Sequence, residues 1–411
     1  MSDLASAVAE LRSTQTIRRR AQALLARARR NESAYFSVND GALVTAATLV
    51  AGLTQARYPD LKIPYHSRWR HFEAGGVNRS GQLDAALAGA SSAEKARARI
   101  DLALVSVLLD AGAGTDWRYK EYREQKPRAE YTRSEGLGVA SFHAFMSGVF
   151  SSDAGHPLQA DAKGLQAITA DTLARAFQVT PANPLIGLEG RAALLRRLGQ
   201  ALENQPELFG TPGRPGHLFD LLPKGGKTIQ AHDVLSVLLM GLSPIWPAQN
   251  AIEGVALGDC WPLAAARSDA GGLSDGWMPF HKLSQWLTYS LIEPFEWAGI
   301  KVQGLDALTG LPEYRNGGLF LDAGVLRLKD PAHATRLHAA GDELIVEWRA
   351  LTVALLDELA PLVRQQLGLT AGQMPLACVL EGGTWAAGRV LAQQLRGGTP
   401  PLNIISDGTV F

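Results

Sequence analysis

The chain has 411 residues, of which 46% are hydrophobic and 19% are charged, proportions typical of a globular protein and not of a disordered one. Its 40 basic residues balance 40 acidic residues, so the overall charge gives no reason to expect a nucleic-acid or membrane partner. Two cysteines, Cys260 and Cys378, are too few for a disulfide framework, and no apolar run approaches the roughly 18 to 20 residues of a membrane span. We expect a cytoplasmic protein.

Apolar positions at helical spacing predict helices along most of the chain. They lie at 4–30, 40–59, 100–114, 171–179, 190–204, 233–242, 281–295 and 343–368. In the last of these, one apolar stripe is formed by Leu344, Trp348, Leu351, Leu355, Leu359 and Leu362. Strand-like runs are short, at 318–328 and 401–411. The predicted fold class is therefore mostly α with minor β.

No internal repeat or low-complexity linker divides the sequence. We expect one unit over residues 1–411, in which an N-terminal helical lobe, 1–155, would precede a C-terminal helical lobe, 156–411, that carries most of the site.

Motifs for the common cofactors are missing: the sequence has no dinucleotide fingerprint, Walker A loop, HExxH motif or zinc-type cysteine pair. His66 and His71 lie five positions apart, a poor spacing for two metal ligands on one helix. We predict a protein without cofactor or metal. It would be a hydrolase or lyase that uses side chains alone, or a binding protein.

The first of four polar stretches, PYHSRWRHFE at 64–73, is rich in cationic and aromatic residues. If this stretch is extended, Arg68 and Arg70 point to one side. Two guanidinium groups together suit a phosphate or a carboxylate, with His71 as a further ligand. Structural ion pairs within a loop are the alternative.

In the second stretch, Ser134 and Glu135 open an apolar, helical run. Ser134 is predicted to cap this helix. Glu135 could present a carboxylate to a ligand beside the backbone N–H groups of the helix start.

The third stretch is predicted to form a helix that begins near Pro279. Lys282, Gln285 and Tyr289 would then share one face and line a site for a small polar ligand. Asp275 and Trp277 precede this helix and are further candidates for substrate binding.

The fourth stretch places four hydrogen-bonding side chains in a row, Glu313, Tyr314, Arg315 and Asn316, before Gly317 and Gly318. Because glycines allow close backbone approach, these side chains could surround a small ligand, although a solvated loop would have the same composition. Asp407, in a glycine turn near the chain end, is a further candidate.

The strings at 64–73, 134–141, 305–320 and 405–411 resemble the uracil-catabolism proteins of fungi and bacteria, a long-uncharacterised domain family. The resemblance covers nearly the whole chain. It implies a place in a pathway in which uracil is ribosylated, ring-opened and finally released as urea.

The middle of the chain is also similar to the queuosine salvage N-glycosylases. Lys282 and Gln285 match a Lys and a Gln on one helix of that family, and Glu313, Tyr314 and Arg315 match a later Asp-Tyr-Arg triplet. Glu313 departs from the pattern because its side chain is one methylene longer than Asp. The similarity implies a compact, α-rich glycosylase-like fold, distantly resembling base-excision DNA glycosylases.

The two resemblances together imply the hydrolysis of an N-ribosylurea, as its 5-phosphate, to urea and ribose phosphate. Glu313 would stabilise the oxocarbenium-like transition state, and Lys282 would keep it ionised. Substrate contacts are expected from Gln285, Tyr314, Arg315, Asn316, Tyr289, Trp277, Asp275, Glu135 and Asp407, and phosphate contacts from Arg68, Arg70 and His71. An amide-cleaving hydrolase and a non-catalytic ribotide-binding protein are the alternatives. The sequence leaves the oligomeric state open.

Overall fold

The computed structural model describes residues 3–110, 112–123, 126–246, 250–268 and 271–405, with the backbone alone at 123 and 126–128. The chain is mainly helical in these ranges, and its short strands form two-stranded pairs, so the predicted fold class is confirmed. The glycosylase-like relationship stays a prediction. Among the described helices, none is long and apolar enough to cross a bilayer.

The α-helices of eight or more residues are Asp3–Leu11, Thr14–Arg29, Gly41–Arg57, Arg79–Ala86, Ser92–Leu108, Arg133–Met146, Leu188–Glu203, Ala231–Leu242, Lys282–Trp297, Tyr314–Asp322, Glu343–Leu367 and Trp385–Arg396. Shorter ones are Trp69–Phe72, Ala162–Gln166, Ala170–Ala176, Pro206–Phe209, Leu218–Leu221 and Leu376–Val379, and a π-helical turn spans Leu380–Thr384. The helices predicted at 40–59, 190–204, 233–242, 281–295 and 343–368 are confirmed to within a few residues.

Strands pair two by two. The antiparallel pairs are Phe36–Val38 with Leu326–Leu328, Tyr119–Arg123 with Lys126–Tyr131, Ala251–Ile252 with Val255–Ala256, and Cys260–Pro262 with Trp277–Pro279. The parallel pairs are Thr228–Gln230 with Lys301–Gln303 and Leu337–His338 with Asn403–Ile404.

The chain divides into two units, each assembled from separate segments. The first unit contains the described residues of 1–66, 248–285 and 304–405, and the second contains those of 67–247 and 286–303. The lobes predicted at 1–155 and 156–411 stay a prediction.

The first unit is organised around its longest helix, Glu343–Leu367. Its apolar stripe is buried from Leu344 to Leu359, and it packs against the helices Thr14–Arg29 and Gly41–Arg57. The helix ends where Gly368 adopts a left-handed conformation, with φ of 68°, which glycine accepts without steric cost.

The second unit is organised around the helix Ser92–Leu108. Ser91 caps its start by accepting a hydrogen bond from the backbone of Glu94, and the residues from Ile100 to Leu108 are all buried. A helix that is buried on every side has a continuous apolar run and not a stripe. That run predicted a helix at 100–114, which the structure shows to begin earlier and to end at Leu108.

The strand predicted at 318–328 is wrong over its first half. Residues Tyr314–Asp322 form a helix, and only Leu326–Leu328 form a strand. The helix forms because Glu313 caps it and because Gly317 lets it approach Trp348 closely. Neither interaction is visible in the local alternation of apolar and polar residues.

Candidate active site

Glu313 stands at the N-terminus of the helix Tyr314–Asp322 as its N-cap residue. Its extended backbone, with φ of −108° and ψ of 167°, turns the carboxylate back over the first turn. One carboxylate oxygen accepts a hydrogen bond from the Arg315 backbone N–H at 2.6 Å, and the other accepts from the Asn316 N–H at 2.5 Å. The carboxylate is therefore fixed in orientation.

Opposing effects act on the pKa of Glu313. Burial of its carboxyl group raises the pKa, while the two backbone N–H groups and the charges of Lys282 and His66 lower it. Burial prevails, so the pKa of Glu313 lies above that of an ordinary glutamate. Glu313 therefore binds a proton at a less acidic pH than a solvated carboxylate, as expected of an acid–base group.

A hydrogen bond holds the backbone of Lys282 in position. It is half-buried at the start of the helix Lys282–Trp297, and its N–H donates to Asp259 Oδ2 at 3.0 Å. Arg349 binds both oxygens of Asp259, at 2.8 and 2.7 Å, and its Nε donates to the Pro312 carbonyl at 3.3 Å. Since Pro312 directly precedes Glu313, this chain of hydrogen bonds fixes Lys282 and Glu313 with respect to each other.

Gln285 connects the same two segments a second time. Its Nε2 donates to Thr309 Oγ1 at 2.6 Å and to the Phe280 carbonyl at 3.0 Å, and its Oε1 accepts from the Thr309 N–H at 2.8 Å. These three bonds engage both donors of the amide and its acceptor oxygen. In the structure the Gln285 amide joins these two segments, and its predicted role in substrate binding stays a prediction.

The three residues after Glu313 differ in exposure. Tyr314 is half-buried beneath the Arg315 guanidinium, which lies 4.9 Å from the ring centroid. Arg315 is buried and donates to the Gly398 carbonyl at 3.2 Å, while Asn316 donates to the Leu311 carbonyl at 3.0 Å. Arg315 Nε and Asn316 Oδ1 are buried without a hydrogen-bond partner among the described residues. Polar atoms of this kind are suited to a ligand or to ordered water.

His66 and Glu381 form a second part of the candidate site, and the sequence did not indicate this pairing. His66 Nδ1 lies 2.9 Å from Glu381 Oε2. The other oxygen of Glu381 accepts from the Tyr58 hydroxyl and from Arg57 Nη2, each at 3.0 Å. Because the charge of His66 also acts on Glu313, the pair belongs to the surroundings of the Glu313 carboxylate.

The pKa of Glu381 moves in the opposite direction to that of Glu313. Burial alone would raise it, but the hydrogen bond and charge of His66, with the charge of Arg57 and the hydroxyl of Tyr58, outweigh burial and lower it. Glu381 is therefore ionised over the whole neutral range.

Glu381 lies in the π-helical turn Leu380–Thr384, a rare conformation that often marks functional sites. The turn packs tightly against the helix Gly41–Arg57, where a Cβ on Gly383 would lie 2.5 Å from the Val50 carbonyl oxygen. Arg57 Nη1 donates to the Glu381 and Gly382 carbonyls, and so satisfies backbone groups within the irregular turn.

Three further candidates, Asp275, Trp277 and Tyr289, are hydrogen-bonded, packed or buried within the protein. Asp275 accepts from the Ser268 N–H and hydroxyl, at 2.8 and 2.9 Å. Trp277 lies in a short strand and packs against an apolar cluster that contains Leu11, and Tyr289 is buried on the helix that begins with Lys282. Tyr289 belongs to the second unit.

The stretch that contains Arg68, Arg70 and His71 is not extended, because Trp69–Phe72 form a short helix. Arg68 is fully buried and pairs with Asp110 at 2.9 Å, and Arg70 pairs with Glu293 at 2.7 Å. His71 is half-buried, with its ring centroid 5.7 Å from that of Trp286. The two guanidinium groups thus already bind carboxylates within the second unit. This arrangement is the one expected if the arginines form structural ion pairs.

The remaining candidates are Glu135, which belongs to the second unit, and Asp407. The N-cap residue of the helix Arg133–Met146 is Thr132, so the prediction that Ser134 caps this helix is wrong. Glu135 is exposed in the first turn of this helix. Asp407 lies outside the described residues.

Residues 10–411 match the family described as "protein of unknown function (DUF1688)". The chain belongs to this family. Protein urg3 of Schizosaccharomyces pombe is 42% identical over 98% of this chain and 99% of that protein. Uracil catabolism protein 4 of Lachancea kluyveri is 42% identical over 85% of each chain. The resemblance to the uracil-catabolism family is confirmed.

In this DUF1688 member the part of the site missed by sequence reasoning is the pair His66 and Glu381. The available signal was the string LEGGT at 380–384, where a carboxylate and two glycines interrupt an apolar helical run. Among the described residues, no group of three His, Cys, Asp or Glu side chains could hold a metal ion.

Proposed function

We propose that this DUF1688 protein acts in uracil catabolism as an N-glycoside hydrolase that cleaves an N-ribosylurea, unphosphorylated or as its 5-phosphate, to urea and the sugar. The observation that carries the proposal is the Glu313 carboxyl group, which is fixed at a helix N-terminus under the charges of Lys282 and His66. The name of the Lachancea kluyveri relative supports the pathway but specifies no reaction.

Breaking an N-glycosidic bond develops positive charge on the sugar ring, which a nearby carboxylate stabilises. Glu313 has this role in the proposal, and it also takes a proton from the attacking water. Lys282 opposes the effect of burial on the pKa of Glu313 and favours the ionised carboxylate.

Two carboxyl groups that both interact with the charge of His66 have opposite pKa shifts, which supports acid–base chemistry. The pKa of Glu313 is raised mainly by burial, whereas the contacts of Glu381 with His66 and Arg57 outweigh burial and lower its pKa. Environments that separate the pKa values of neighbouring titratable groups are characteristic of enzymes that need both a proton acceptor and a fixed charge.

One observation favours a second candidate, a ribotide-binding protein without catalysis. Both oxygens of Glu313 already accept backbone N–H groups, which is the full requirement of a helix cap. Under this alternative, Glu313 would stabilise the helix Tyr314–Asp322 and would have no part in chemistry.

The decisive experiment measures urea and ammonia released from N-ribosylurea and its 5-phosphate by the wild type, Glu313→Gln and Asp330→Asn. Asp330 is the control because it also caps a helical turn, accepting from the Ala332 N–H at 2.9 Å. We expect urea from the wild type and from Asp330→Asn, and at least about 100-fold less from Glu313→Gln.

Ammonia in place of urea would show that the protein cleaves an amide bond and leaves the glycosidic bond intact. Binding without any product, with the same affinity for the wild type and Glu313→Gln, would support the non-catalytic alternative.

A further inference from the structure

The His66 side chain is oriented by a carboxylate whose other oxygen is already occupied. Glu381 Oε1 accepts from Tyr58 and Arg57, so Oε2 is the oxygen that faces His66 Nδ1, at 2.9 Å. An ionised carboxylate can only accept hydrogen bonds, so Nδ1 carries the hydrogen and Nε2 is the nitrogen that exchanges a proton.

The backbone around this pair is also held firmly. The His66 N–H donates to the Ala377 carbonyl at 3.0 Å, just before the π-helical turn that contains Glu381. The same turn ends with Thr384, which is fully buried and whose hydroxyl oxygen has no hydrogen-bond partner among the described residues. The surroundings of Glu381 therefore combine three features: a rare backbone conformation, a buried hydroxyl without a hydrogen-bond partner among the described residues, and the oriented imidazole of His66.

We propose that His66, oriented by Glu381, is the general acid that protonates the departing urea nitrogen, an inference that rests on the proposed hydrolysis. Urea is a poor leaving group as an anion, so its nitrogen needs a proton as the glycosidic bond breaks. An imidazole is the side chain best suited to supply that proton near neutral pH. Glu381 is a positioning residue in this account.

The step balances without any further reactant. The water oxygen forms a bond to the anomeric carbon, and the water proton passes to Glu313. The bond between the anomeric carbon and nitrogen breaks, its electron pair stays on the nitrogen, and that nitrogen takes the proton from His66 Nε2. After the products leave, the proton on Glu313 is lost to solvent and His66 is protonated again.

Removing a general acid lowers the reaction rate by a factor that depends on whether the leaving group needs a proton. We would compare urea release from N-ribosylurea with 4-nitrophenol release from 4-nitrophenyl riboside, using the phosphorylation state that the wild type prefers. 4-Nitrophenolate leaves without a proton, so its departure needs only the carboxylate that stabilises the sugar cation. His66→Asn is the main variant because the Asn amide can still donate toward Glu381.

We expect His66→Asn to lower urea release by at least about 100-fold and to retain most of the 4-nitrophenol release. Glu313→Gln should impair both reactions. The control is His156→Asn, because His156 forms a similar pair with Asp153 at 2.8 Å on the exposed surface, and this variant should match the wild type. Equal losses with both substrates in His66→Asn, or no loss with either, would overturn the proposal while leaving the hydrolysis intact.

A second variant separates orientation from simple support of the fold. Glu381→Gln removes the carboxylate that faces His66 Nδ1, so urea release should fall while most of the 4-nitrophenol release is retained, as in His66→Asn. Glu381→Asp should restore part of the urea release. Equal losses with both substrates in Glu381→Gln, or no loss with either, would overturn the positioning role, and a wild type that releases neither product would remove the hydrolysis and this inference together.

Discussion

Arg349 binds Asp259 through both terminal nitrogens of its guanidinium group, at 2.8 and 2.7 Å, and in doing so links the two segments that carry Lys282 and Glu313. Arg349 is almost fully buried, and Asp259 also accepts from the Trp261 indole N–H at 2.7 Å. Such a bidentate pair is rigid as well as strong, so it sets geometry as much as stability.

Replacing Arg349 should therefore destabilise the fold markedly. In Arg349→Met, the Asp259 carboxylate keeps its charge in a largely enclosed position without a cation, which costs about 3 kcal/mol of unfolding free energy. Urea denaturation at pH 7 measures this loss, and adding Asp259→Asn should recover part of it. Arg30→Met, which breaks an exposed pair with Glu32, is the control and should leave stability nearly unchanged. Equal stability of the two arginine variants would contradict the prediction.

The contribution of the pair between Asp259 and Arg349 to stability should depend on pH. Burial alone would raise the pKa of Asp259, but the charge and hydrogen bonds of Arg349 outweigh it and hold the pKa well below the usual range. A lowered pKa in the folded state stabilises the protein above the unfolded-state pKa, and this contribution is lost as the pH falls through the folded-state value. The stability difference between wild type and Asp259→Asn should be constant from pH 7 to about 5 and should shrink below about pH 4. A constant difference down to pH 2 would contradict this.

Glu313 should show the opposite dependence on pH. Its pKa is raised, mainly by burial, so its contribution to stability is most favourable below the unfolded-state pKa and is lost as the pH rises through the folded-state value. The melting temperature of Glu313→Gln relative to that of the wild type should therefore increase from pH 4 to pH 7.5, whatever the loss of cap hydrogen bonds costs at both pH values. A difference that stays constant or decreases over this range would contradict the raised pKa.

The two glycines after Asn316 should respond differently to the same substitution. A Cβ on Gly317 would lie 2.7 Å from the Trp348 ring, whereas a Cβ on Gly318 would lie 3.3 Å from Pro401. Gly317→Ala should therefore cost about 1 to 3 kcal/mol through overpacking. Gly318→Ala gains up to about 1 kcal/mol of helix propensity against mild crowding and should be close to neutral. Thermal melts of both variants test this, and equal effects would contradict the packing seen for the helix Tyr314–Asp322.

Arg70 should matter for stability and not for phosphate recognition. Its guanidinium pairs with Glu293 at 2.7 Å, and burial raises the pKa of Glu293 despite the opposing charge of Arg70. Arg70→Gln leaves this buried carboxyl group without its cation and should lower the melting temperature. The ratio of kcat/KM for ribosylurea with and without its 5-phosphate should stay the same. A tenfold fall in that ratio would instead support the predicted phosphate site.

Local periodicity was sufficient for helices that bury one face. Leu344, Leu351 and Leu355 recur on one face of the helix Glu343–Leu367, so the sequence alone predicts it. The helix Tyr314–Asp322 was missed because its stability comes from a side-chain cap and from a contact with Trp348, which lies more than one element away. Propensity gives way to tertiary contacts at such positions.

Within the site, single motifs were visible and their pairing was not. Glu313 and Lys282 were both singled out, and the structure couples their charges. His66 and Glu381, in contrast, are 315 positions apart, and no pattern near either residue indicates that the other is its partner. A sequence without aligned relatives carries no signal for such a contact, which depends on the whole path of the chain between them.

The first unit also sets the order in which the chain can fold during synthesis. The strand Phe36–Val38 pairs with Leu326–Leu328, which leaves the ribosome about 290 residues later, a delay of about 15 to 60 s at bacterial or eukaryotic translation rates. Throughout that interval the helices Thr14–Arg29 and Gly41–Arg57 have emerged without the helix Glu343–Leu367 that covers their apolar faces. The nascent protein thus exposes aggregation-prone surface until the helix Glu343–Leu367 has been synthesised, so its yield in cells should depend on chaperones that bind early segments.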